Sequence, residues 1–132
     1  MFAIRLGPCI LAATLLSGCA VAMSNYTAND MRQPDNLRTT VQLEKTVPEV
    51  HSALATYQMN CRALGNVVLD PNGSRVVITQ MGMGLTNASV YMLVDVEAKG
   101  SGAEFKGYAY YATWRSHIDE ILNAIKDPKT CA

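Results

Sequence analysis

Histidine is scarce in this chain. His51 and His117 are the two it has, in 132 residues. Neither stands in an H-x-x-x-H or H-E-x-x-H pattern, and no Cys-x-x-Cys pair occurs, so the ligand spacings of a zinc site are missing. Gly-x-Ser-x-Gly and Ser-x-x-Lys are missing too, which removes the commonest settings of a serine nucleophile. Gly82-Met83-Gly84 has no Lys-Ser/Thr after it, and Gly100-Ser101-Gly102 joins two β-type runs instead of opening a helix, so neither is a phosphate loop. Charge of one sign is not in excess: 11 basic residues face 11 acidic ones, and no basic patch suited to nucleic acid is present. These absences point away from an enzyme, and no cofactor and no metal is expected.

Leu16-Ser17-Gly18-Cys19 is the most informative stretch that is present. A branched apolar residue and two small residues lead into a cysteine. Arg5 supplies a positive start, and residues 10–16 are apolar but too few to cross a bilayer core of about 30 Å as a helix. The pattern resembles the lipobox of bacterial lipoprotein precursors. That resemblance implies a signal peptide over 1–18, cleavage before Cys19, a diacylglyceryl group on its sulfur and a further acyl chain such as palmitate on its nitrogen. One acyl chain holds a protein only marginally, whereas two or more anchor it, at about 0.8 kcal/mol per buried CH₂. Ala20, where an inner-membrane lipoprotein of the enterobacterial type carries Asp, implies the periplasmic leaflet of the outer membrane. No later apolar run is long enough to span, so the expected membrane partner is reached through lipid on Cys19 alone.

Cys61 and Cys131 remain once Cys9 has gone with the signal and Cys19 is acylated. An even number in an oxidising compartment reads as one disulfide, with two free thiols as the alternative. The loop of about 70 residues would contribute roughly 4 kcal/mol by loss of chain entropy.

Residues 19–36 are polar and aperiodic and read as a lipidated, flexible tether with a mean span of roughly 20–25 Å. Residues 37–132 read as a small α+β domain. Val41 and Leu43 alternate with polar neighbours in a strand over 37–44. Thr46-Val47-Pro48-Glu49 is a capping box with proline in the first turn, and Val50, Leu54, Tyr57 and Cys61 form one helical stripe that Gly65 ends. A short strand over 67–69, a turn at Asp70-Pro71-Asn72-Gly73 and a strand over 75–81 follow. Gly82-Met83-Gly84 marks a bulge, bend or loop. The strand over 89–97 sets Val90, Met92, Val94 and Val96 on one face and Asp95 and Glu97 on a solvated one. Residues 103–112 return as its hairpin partner. Ser116-x-x-Asp119 caps a last helix, whose inward residues are Ile118, Ile121, Leu122 and Ile125, and Asp127-Pro128 stops it.

The order β-α-β-β-β-β-α predicts an antiparallel sheet of four to five strands with two helices on one face. Cys61 and Cys131 would then join the C-terminal ends of those helices. The order is similar to that of small periplasmic lipoproteins of uncharacterised function and, faintly, to the helix-grip domains of outer-membrane assembly lipoproteins.

Aromatic residues gather late in the chain: Tyr108, Tyr110, Tyr111 and Trp114. On a strand Tyr108 and Tyr110 share a face, beside Tyr91 across the hairpin, and Tyr111 takes the other face. Exposed tyrosine suits an interface, so Tyr91, Tyr108 and Tyr110 are the expected partner-binding residues of a non-enzymatic accessory module in the cell envelope. The alternative is a carrier of a small apolar ligand held between sheet and helices.

Overall fold

The computed structural model describes residues 26–83 and 88–132. The expected signal segment, Cys19 and Gly84 lie outside the described residues. The first described elements are a single helical turn, α1 (Ala28–Met31), and a 3₁₀ turn over Pro34–Asn36. β1 (Leu37–Leu43), α2 (Val47–Asn60), β2 (Asn66–Leu69), β3 (Arg75–Met83), β4 (Ala88–Lys99), β5 (Gly102–Ala109) and α3 (Arg115–Lys126) follow. The strands form one antiparallel sheet in the order β1-β5-β4-β3-β2. The α+β class and the expected strand and helix order therefore hold.

Local chemistry explains most boundaries. Thr46 and Glu49 cap α2 reciprocally, with the Thr46 N–H donating to Glu49 Oε2 at 2.7 Å. Gly100 (φ 63°) turns the β4–β5 hairpin with Lys99 opposite Gly102. Asp127, ahead of Pro128, leaves the helical region (φ −135°, ψ 84°) and ends α3. α2 stops at Asn60, earlier than expected: Cys61 is its C-cap, and Gly65 (φ 121°) instead turns the chain onto β2. Ser116 does not cap α3. A 3₁₀ turn over Ala112–Trp114 runs straight into the helix, which places Ser116 inside the first turn, where its hydroxyl donates to the Thr113 carbonyl.

α2 and α3 cover one face of the sheet. Leu54, Tyr57, Ile118, Ile121 and Ile125 close over Ile78, Met92, Val94, Val96 and Phe105. The approach is tight at Gly107, where a Cβ would collide with Ile118. The helices run antiparallel. Lys45, just ahead of α2, donates to the Ile125 carbonyl near the end of α3 (2.9 Å), whereas Tyr57 near the other end of α2 donates to Glu120 in the middle of α3 (3.0 Å). Cys61 and Cys131 are bonded, with Cα atoms 5.4 Å apart. The bridge thus ties the end of α2 to the returning C-terminal tail, and not to the end of α3 itself.

The opposite face differs from expectation in three ways. First, the expected tether is folded from Tyr26 onward. Thr27 and Asp30 form a second capping box, Met31 is fully buried against Val90, Leu93 and Tyr108, and the Val90 N–H donates to the Tyr26 carbonyl at 2.9 Å. Second, Asp95 is not solvated. It is 5% exposed and accepts from Arg32 Nε and Nη2 at 2.7 and 2.8 Å. Third, Val90 leaves the face of Met92, Val94 and Val96. Gln80 pairs with Met92 and Met81 with Val90, so Tyr91 is an extra residue in β4, and this bulge turns Val90 to the other side.

The bidentate pair and the Met31 side chain carry the N-terminal segment. Asp95→Asn should weaken its docking by about 1–3 kcal/mol. The amides of Met31 and Arg32 would then exchange with deuterium many-fold faster while β4 and β5 stay protected, as mass-resolved exchange would show.

Candidate interaction surface

With α2 and α3 on one side, side chains reach solvent from the other face of the sheet and from its two ends. At the β4–β5 hairpin end the open face is charged. Register sets Asp95 opposite Lys106 and, two residues on, Glu97 opposite Glu104. Two carboxylates directly across a strand pair repel. Cations surround them: Lys106 meets Glu104 at 2.9 Å, Lys99 also bonds Glu104, and Arg75 lies between Asp70 (3.3 Å) and Glu97 (3.7 Å). The lysines hold the Glu104 carboxyl below its ordinary value. α1 forms the other bank through Asn29 and Arg32, and the result is an open cleft of about 360 Å³ whose lining also includes Tyr108. Its walls are mostly polar, and its floor is backbone-paired strand.

The expected tyrosine surface is divided. Tyr108 is on the open face but only 9% exposed, because Met31 and the N-terminal segment lie on it. Burial, with Asp95 nearby, pushes its hydroxyl above the ordinary value. Tyr91 turns to the helix side at the bulge. It stacks on Trp114, with ring centres 6.4 Å apart, and covers the Gly82 backbone so closely that a Cβ there would collide with its ring. Tyr110 is exposed, as expected, but its neighbours are Tyr26 (5.1 Å) and Tyr111 (4.7 Å), both edge-on. β5 ends at Ala109, so the alternation that would have sent Tyr111 to the other face no longer applies. Arg38 fixes this corner by donating to the carbonyls of Ala109 (3.0 Å) and Tyr110 (3.2 Å).

A third polar group lies under the helix layer. Glu120 is 8% exposed and accepts from Tyr57 Oη (3.0 Å) and Arg62 Nε (2.8 Å), with His117 Nδ1 at 3.2 Å. Burial pushes its carboxyl up, but hydrogen bonds from Arg62 and Tyr57 and the neighbouring positive charge outweigh this and hold it below the ordinary value. The group joins the end of α2 to α3 beside the disulfide. Among the described residues no group of three His, Cys, Asp or Glu side chains is placed to hold a metal, and His51 stands apart from this cluster on α2.

Arg32, Arg75, Glu104, Lys106 and Tyr26 escaped the sequence reading. One signal was available: Thr27-x-x-Asp30 repeats the box pattern of Thr46-x-x-Glu49. No protein-family model, curated protein or solved structure matches the chain.

Two outcomes follow from this geometry. Tyr108→Ala should lower stability by about 3 kcal/mol, whereas Tyr110→Ala should change it by less than about 0.5 kcal/mol; urea unfolding separates them. The lowered Glu120 value means that its contribution is present above the ordinary carboxylate range near 4.5 and is lost as pH falls through the folded value. Glu120→Gln should therefore be less stable than wild type at neutral pH and lose less on acidification, as melting curves across that range would show.

Proposed function

We propose that the protein is a lipid-anchored lipoprotein of the outer membrane, periplasmic leaflet, and that its domain is a non-enzymatic interaction module that docks another envelope protein on the charged open face of its sheet. The lipobox at Leu16–Cys19 supports the anchor, and a disulfide between Cys61 and Cys131 accords with an oxidising compartment.

The observation that carries the docking reading is the juxtaposition of Glu97 and Glu104 on paired strands at the rim of the cleft. Lys99 and Lys106 balance Glu104, whereas Glu97 is about half exposed and meets Arg75 at the longer distance of 3.7 Å. A partner's Lys or Arg landing there completes the charge pattern. Arg75 and Lys106 are already paired with Asp70, Glu97 and Glu104 but are partly exposed, so a partner's carboxylates can share them. Such complementarity sets specificity and association rate more than raw affinity. The side chains stand on backbone-paired strands, so little ordering is required when the partner arrives. The carrier alternative has no comparable support: Ile118 is packed against Gly107 where a ligand between sheet and helix would lie.

A photoreactive residue at Glu97 should capture one dominant envelope protein in intact cells, and Glu104→Lys should suppress that adduct. Adducts scattered over many abundant proteins, or none, would remove the docking reading. The anchor is tested separately. Cys19→Ala should abolish the acyl mass and move the chain out of the membrane fraction; an unacylated wild-type chain would overturn it.

A further inference from the structure

The two ends of the sheet differ in kind. Val90, which bonds Tyr26, and Glu97, which borders the cleft, are seven residues apart along β4, or about 23 Å at strand spacing. Beyond Glu97 the hairpin end carries charge. The Val90 end carries apolar and aromatic side chains. Among the described residues, Leu37, Met59, Val68, Met81, Tyr110 and Tyr111 are the exposed large hydrophobic ones. Four of these six belong to the Val90 end. Leu37 starts β1 opposite Tyr108, Met81 is opposite Val90, and Tyr110 and Tyr111 follow the last residue of β5. They form a rim across β1, β5, β4 and β3, with the Tyr26 ring against Tyr110.

Tyr26, the first described residue, lies at this rim. Residues 20–25 are all that separate Cys19 from Tyr26, and fully extended chain covers at most about 25 Å over that distance. An acylated Cys19 therefore keeps Tyr26 within about 25 Å of the bilayer, which lets the rim touch it with the charged end turned away. Tyrosine has an apolar ring and a polar tip and collects at membrane–water boundaries, while Leu and Met favour the acyl side of that boundary.

We infer that Leu37, Met81, Tyr110 and Tyr111 form a membrane-seating surface, which rests in the phospholipid headgroup region of the bilayer to which Cys19 is anchored. The inference depends on the lipidation proposed above. It deepens that reading by giving the domain an orientation: rim down on the bilayer, cleft up toward a partner. Arg38, bonded at the Tyr110 carbonyl, adds a cation at the level of the phosphates.

The test uses the lipoprotein purified from membranes, with residues 20–25 replaced by a protease recognition sequence of equal length. Intact mass first establishes that Cys19 is acylated; an unacylated Cys19 overturns the anchor and the seating together. The acylated protein is placed in phosphatidylethanolamine–phosphatidylglycerol vesicles and footprinted with hydroxyl radicals before and after protease release. Oxidation of Tyr110, Tyr111 and Met81 should be several-fold lower on the vesicle than after release. In a Tyr110→Ser/Tyr111→Ser variant, Met81 should lose most of that protection while its anchor remains. Equal oxidation before and after release, with Cys19 acylated, overturns the seating and leaves the anchor standing. Oxidation that is equally low before release and after the vesicles are removed also overturns it and assigns the rim to contact between copies of the chain. Met81 protection unchanged in the double variant overturns the role of the tyrosines.

Discussion

The arrangement depends on the pairing of Asp95 with Arg32. Asp95 sits near the middle of β4, where Val77 and Lys106 are its strand neighbours, and it is almost fully buried. A carboxylate in such a place needs a partner with matching geometry. The guanidinium of Arg32 supplies two parallel hydrogen bonds from outside the sheet. To bring Arg32 there, the N-terminal segment must cross the open face, and in doing so it inserts Met31 over Leu93 and Tyr108. One ion pair thus removes a tyrosine from the surface and forms one bank of the cleft.

The helix side is closed by a different set of constraints. Glu120 gathers Tyr57, Arg62 and His117 at the end of α2, and the disulfide brings the C-terminal tail back to that place. Lys45 fastens the far end of α3. Gly107 lets Ile118 approach the sheet without a gap. The layer is therefore pinned at both ends and tight in the middle, which leaves the open face and the two sheet ends to meet other molecules.

Those ends divide the work proposed for the protein. The bulge at Tyr91 matters here. By turning Val90 to the open face it lets the N-terminal segment bond to β4, and by turning Tyr91 to the helix side it builds the Tyr91–Trp114 stack that braces the start of α3. A single extra residue in a strand separates tyrosines that a regular strand would have held together.

Much of the architecture was legible in the sequence, because its signals are local. Period-two alternation in β1, the Thr46–Glu49 box and stripe of α2, the Pro71–Gly73 turn, the Gly100 hairpin and the Asp127-Pro128 stop each act within a few residues, and all of them direct the chain as read. The α+β class, the strand order along the chain and the Cys61–Cys131 pairing followed from these and from cysteine arithmetic. What only the tertiary structure decided were the non-local matters. Arg32 finds Asp95 across 63 residues and Arg62 finds Glu120 across 58, so neither acid could be told from an ordinary solvated one by its neighbours. The bulge at Tyr91 depends on how β4 pairs with β3, and the burial of Tyr108 depends on a segment whose polar composition conceals one anchoring methionine. Exposure is a property of what covers a residue, and the covering element here lies far away in the chain.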